Sequence, residues 1–120
     1  SQYAETAEII STKYGVSQPI SSISLYADEG IPSINKDFDW LQYYVSVDNG
    51  STWTQIMPIS RPNINSNDIP TVLNVGKEIG KQGESYYNLM YKVVLKRPAN
   101  DSGYTPVVRQ LQFTITSKRV

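Results

Sequence analysis

The sequence contains no cysteine and no histidine. Without cysteine, neither a disulfide nor a thiolate metal site can form. Without histidine, the commonest general base, the commonest zinc ligand and the usual switch near neutral pH are missing. Net charge is missing as well, because eleven basic side chains balance eleven acidic ones. That balance argues against a nucleic-acid footprint or a polybasic membrane anchor. No apolar run approaches the roughly 18 residues of a transmembrane helix. Ser1 to Ser11 lacks the basic start and leucine-rich core of a signal peptide. Neither a nucleic acid nor a membrane is expected as partner, and no cofactor is implied.

What remains is a chain of 120 residues, the size of one domain, whether whole or part of something longer. Nine tyrosines accompany two tryptophans and two phenylalanines. Tyrosine suits half-buried strand positions, with its ring inside and its hydroxyl at the rim. Period-2 alternation runs through the sequence. Ile23, Leu25 and Ala27 share one face, as do Leu41, Tyr43, Val45 and Val47. Tyr87, Leu89, Tyr91, Val93 and Leu95 repeat the pattern, and so do Val107, Leu111, Phe113 and Ile115, broken by Arg109. Such alternation makes strands with one apolar face, and two stacked sheets bury both. Breakers at Gly15, Gly30-Ile31-Pro32, Asp48-Asn49-Gly50, Pro62 and Ala99 to Gly103 separate the runs. The prediction is an all-β antiparallel sandwich, jelly-roll-like, of about seven to nine strands across residues 1–120. Glu5 to Lys13 could form a helical turn, but Ile9, Ile10, Ser11 and Thr12 favour a strand over Thr6 to Lys13. Ile59 to Asn74 reads as a long loop with a short strand at Thr71 to Val75. Gly76 to Ser85 reads as a mobile connection.

The sharpest local signal is the hairpin of Ser46, Asp48, Asn49, Gly50, Thr52 and Trp53. Asn49-Gly50 favours a tight turn because both tolerate positive φ. Asp48 can accept hydrogen bonds from the amides after it. Ser46 and Thr52 can bond across the turn, and Trp53 can pack over it. The spacing resembles the Asp box, S-x-D-x-G-x-T-W, repeated on sialidase-type β-propellers, where it is a folding element remote from catalysis. One copy in 120 residues excludes a propeller.

A wider pattern runs from Leu25-Tyr26-Ala27-Asp28-Glu29-Gly30-Ile31-Pro32 through Trp40 and Tyr43 to Gly50, then Tyr91 to Arg97 and Thr105-Pro106-Val107. This order resembles β-sandwich modules of tail and baseplate proteins in tailed bacteriophages. The resemblance implies a structural or attachment module residing in the virion, with other virion proteins or copies of itself as partners.

No catalytic constellation accompanies these motifs, so an enzyme is not expected. Asp37 and Asp39 would share a strand face and could serve a glycosidase, bind calcium with Asn35 or backbone carbonyls, or be an exposed, solvated loop. The alternative function is a carbohydrate-binding module recognising a host or other glycan. Trp40, Tyr44, Tyr86 and Tyr104 would stack sugar rings, with Asn63, Asn65, Asn67 and Asp68 as polar contacts. The plainer reading has Trp40 plugging one end of the sandwich and the tyrosines covering its rims. Lys92, Lys96 and Arg97 could guard a sheet edge, and Ser1 to Ile10 could add as a strand to a neighbouring copy.

Overall fold

A computed structural model describes residues 5–35, 38–61, 69–100 and 103–118. Eight strands form among them: β1 (Thr6–Ile10), β2 (Tyr14–Gly15), β3 (Ile20–Gly30), β4 (Leu41–Ser46), β5 (Thr54–Ile56), β6 (Val72–Asn74), β7 (Asn88–Lys96) and β8 (Val107–Ser117). They make two packed sheets in which every pair of neighbouring strands is antiparallel. One sheet runs β1-β7-β4-β5, with β2 also on β7, and the other runs β6-β3-β8. The expected all-β sandwich is therefore present, with a strand count inside the expected range.

The alternation produces the core directly. Ile23, Leu25 and Ala27 of β3 are buried, and so are Leu41, Tyr43 and Val45 of β4. Ile56 of β5, Leu73 of β6, and Leu89 and Val93 of β7 complete the layer between the sheets. Each fully buried aliphatic side chain there contributes about 1.5–3 kcal/mol. Tyr43 stands opposite Val93, and Leu41 opposite Leu95, so neighbouring strands show their apolar residues on one face.

Among the described residues the strand register shifts in three places, one of them between Ile20 and Ser22 at the far end of the β3–β8 pair. Between Asp28 and Glu29 the register of β3 and β8 shifts, so Gln110 pairs with Asp28 but Val108 with Glu29. The shift reverses which residues face inward at the start of β8. Val108 packs on the core, whereas Val107, expected on the apolar face, is exposed. On the other sheet Ile10 faces Lys92 and Tyr14 faces Leu89, so β1 and β2 are one strand with an extra residue between its halves. The Ser11 hydroxyl accepts the Tyr91 amide there at 2.8 Å and gives its own proton to Thr12 O.

Three expectations are corrected. Residues 76–85 form a fastened turn. The amides of Lys77, Glu78 and Ile79 donate to Asn74 O, Val75 bridges to Ile79, and Ile79 is buried. The strand carrying Lys92 and Lys96 guards no edge, because β7 lies between β1 and β4. The segment Thr6–Ile10 pairs with β7 of its own chain. The long loop is tied down before residues 62–68: Ile59 N donates to Leu25 O, and Ser60 Oγ bonds both Ala27 N and Ala27 O. Together with β6 it covers one side of β3.

Candidate functional site

The Asp-box hairpin is built as its spacing predicts. Asn49 and Gly50 have φ of 61° and 89°, the signs a primed turn requires. Asp48 organises the rest. One carboxylate oxygen accepts the Ser46 hydroxyl at 2.7 Å and the Thr52 amide at 2.9 Å, and the other accepts the Thr52 hydroxyl at 2.6 Å. Ser46 Oγ in turn accepts the Gly50 amide at 2.9 Å, which satisfies a buried hydroxyl. Burial pushes the Asp48 carboxyl up, but the Thr52 and Ser46 hydrogen bonds outweigh it and hold the group below its ordinary value. Trp53 and the Met90 side chain sit over Gly50. Each member of the motif has a structural role.

The four candidate sugar-stacking aromatics are not gathered on one surface. Trp40 is 1% exposed. Its ring nitrogen donates to Asn35 O at 3.0 Å, and its ring makes a T-shaped contact with Phe38, centres 5.2 Å apart. It plugs one end of the sandwich, which corrects its role as a sugar contact, since no ring face is open. Tyr86 is half-buried against Gly80, its hydroxyl accepting Lys81 N–H and reaching Glu84. Tyr104 is exposed in the turn before β8. Tyr44 lies on the outer face of the larger sheet. There Lys92 Nζ stands 5.1 Å from the Tyr44 ring and 4.8 Å from the Trp53 ring. The sequence reading missed this group, although Lys92 and Tyr44 are direct cross-strand neighbours. The ammonium covers both rings by cation–π attraction.

Asp39 is exposed and accepts the Gln42 side-chain amide at 2.6 Å. Its proposed calcium partner Asp37 lies outside the described residues, as do Asn63, Asn65, Asn67 and Asp68. Among the described residues no three acidic side chains come together as a cation site.

A partly buried polar triad sits where β3 ends. Tyr43 donates its hydroxyl to Glu29 Oε2 at 2.6 Å, Arg61 Nε donates to Glu29 Oε1 at 3.0 Å, and Arg61 Nη2 pairs with Oε2. Arg61 also reaches Leu41 O and lies over the Tyr43 ring. Burial, then Glu29, holds the Tyr43 phenol far above its ordinary range. Burial pushes the Arg61 guanidinium down, but Glu29 more than offsets it. The three residues clamp the start of the long loop.

The feature with unspent capacity lies on the opposite side. Among the described residues β8 pairs only with β3, and its inward residues Leu111, Phe113 and Ile115 are half-buried. With Tyr14, Leu89 and Tyr91 they line an open cleft of about 330 Å³ between the sheets. Tyr91 stacks on Phe113, with ring centres 5.2 Å apart, and Tyr14 lies parallel to Tyr91 at 6.3 Å. Burial first, then Tyr14, raises the Tyr91 phenol above its ordinary value. This aromatic ladder bridges two sheets whose relative placement no single strand pattern reveals, which is why the sequence reading missed it. Comparison with family models, with curated proteins and with solved structures gives no match to this chain.

Proposed function

We propose that this chain is a non-enzymatic structural or attachment module of a bacteriophage virion, in the tail or baseplate. Its partners are other virion proteins or copies of itself. The observation that carries the reading is the open side of the sandwich: an edge of β8 that no strand pairs among the described residues, beside an apolar cleft. An unpaired strand edge is a template for another chain, and an adjoining apolar surface adds burial to the pairing. The order of motifs from Leu25 to Val107, which resembles tail and baseplate sandwich modules, supplies the setting. The polar groups at the opposite end support the same reading, since Glu29, Tyr43 and Arg61 are spent on one another.

Mass spectrometry of purified particles tests the proposal. The chain is expected among the structural proteins, at a copy number set by particle symmetry. Its absence from particles assembled in cells that express it would reject the reading.

A further inference from the structure

Among the described residues the sandwich has four lateral strands, and three of them are blunted. β5 and β6 have three residues each. β1 carries Glu8 at its centre, and the extra residue between β1 and β2 breaks its line. Short length, a central charge and a bulge are the ordinary ways a protein discourages edge-to-edge pairing. β8 uses none of them over most of its length. It has eleven residues. Its stretch Gln110, Leu111, Gln112, Phe113, Thr114, Ile115, Thr116 and Ser117 holds no charge, no proline and no glycine. From Gln110 to Thr116 it stays in unbroken register with β3. The two register shifts of this pair, at Asp28/Glu29 and at Ile20/Ser22, lie at the two ends of that stretch.

We propose that β8 pairs antiparallel with β8 of a second copy of this chain about a two-fold axis, joining two three-stranded sheets into one of six strands. The inference rests on the assembly reading above and names its partner.

Three observations favour a second copy over an unrelated strand. First, β8 is compatible with itself in charge. Two neutral stretches meet without repulsion, whereas β1 set against β1 would bring Glu8 towards its own copy. The flanking cations fall at the ends of the pairing. There Lys118 of one copy approaches the Arg109–Asp28 ion pair of the other, a neutral pair at 3.2 Å. Second, the faces match. Residues opposite each other in an antiparallel pair share a face, so Leu111, Phe113 and Ile115 of both copies fall in one inner layer. Gln110, Gln112, Thr114 and Thr116 fall in one outer layer. Third, those three apolar residues are only half-buried in the single chain and border the cleft. The second copy covers the surface left over. A two-fold contact is closed, so it yields a dimer that can serve as a building unit.

Sedimentation equilibrium of the intact chain tests this. The unaltered chain is expected to have the mass of two chains at micromolar concentration. The double variant Gln112→Lys/Thr114→Lys places lysines across the pairing on exposed positions. It is expected to have the mass of one chain with an unchanged circular-dichroism spectrum. Because the chain lacks cysteine, a single Gln112→Cys or Phe113→Cys can cross-link only between copies. At least one of the two is expected to do so on mild oxidation, while Ser51→Cys, on the exposed hairpin, stays uncross-linked. A monomeric parent chain, an open series of masses, or a dimer untouched by the double lysine variant would overturn the pairing. A monomer that is nonetheless found in purified particles would reject the β8 pairing and leave the virion reading standing. A dimer absent from particles would do the reverse.

Discussion

Arg61 grips the carboxylate of Glu29 with two nitrogens, from 32 residues further along the chain, and so fastens the start of the long loop to the end of β3. The Glu29 side chain is 9% exposed and that of Arg61 21%. Removing one partner of a buried pair leaves an uncompensated charge, whereas removing both removes the problem. Arg61→Ala is therefore expected to lower unfolding free energy by about 2 kcal/mol, below the range for fully buried pairs because water reaches Arg61. Glu29→Met/Arg61→Met should recover part of that loss, the remainder being the Tyr43 hydroxyl left without its acceptor. Urea titration of the two variants checks both points, and equal losses would show that the uncompensated Glu29 charge is not what costs stability.

Tyr43 adds a pH dependence to the same group. In the fold its phenol keeps its proton well above the unfolded value of 10.0, because of burial first and Glu29 second. A raised folded value means stability is whole below pH 10 and falls as pH rises beyond it, since the unfolded chain loses that proton first. Tyr43→Phe is expected to flatten part of the alkaline decline in Tm while costing about 1 kcal/mol at neutral pH through the lost hydrogen bond. Tm measured from pH 8 upward decides it. An alkaline limb identical to the parent's would place the titration elsewhere.

Asp48 acts at the acid end. Its carboxyl is held below the ordinary 3.8 once the Thr52 and Ser46 hydrogen bonds outweigh burial. A lowered folded value means the contribution is present above about pH 4 and disappears as pH falls through the folded value. Asp48→Asn keeps one acceptor oxygen but loses the charge. It is expected to destabilise the chain at pH 7 by about 1 kcal/mol and to shrink that difference towards pH 2. A gap of constant size from pH 7 to pH 2 would contradict the assignment.

The hairpin shows what a sequence states openly. Each of its signals is local: the φ preference of Asn49 and Gly50, the acceptors of Asp48, the hydroxyls of Ser46 and Thr52. The strand faces are equally legible, because alternation is a property of one segment. What is hidden depends on how segments meet. Ile79 looks like a stray apolar residue in a polar run until Leu73 and its neighbours surround it. Val107 looks inward until a bulge reverses the parity of β8. Trp40 could be a platform or a plug, and only the packing around Asn35 and Phe38 decides. The open cleft is least legible, because it is a relation between two sheets.

Gly50 has a φ of 89°, and a Cβ there would lie 3.7 Å from Met90 and from Trp53. Space is therefore adequate, and the obstacle is the backbone. Left-handed φ costs a β-branched residue about 1–2 kcal/mol or more. Gly50→Val is expected to lose at least that much stability, and Gly50→Asn much less, since asparagine tolerates the region. If thermal melts rank the two variants equally, the turn geometry is wrong.

Tyr91 stands between Tyr14 and Phe113 and so holds the two sheets together beside the cleft. Its ring does this work and its hydroxyl is secondary, so the two truncations should separate. Tyr91→Phe keeps both stacks and is expected to stay within about 1 kcal/mol of the parent, a hydrogen bond's worth. Tyr91→Ala removes two aromatic contacts and half-buried apolar area, and is expected to cost about 2–3 kcal/mol. The alanine variant should also enlarge the cleft and increase binding of a fluorescent apolar dye in the native state. If Tyr91→Ala loses stability without any gain in dye binding at neutral pH, the ladder stabilises β7 alone and does not close the open side of the sandwich.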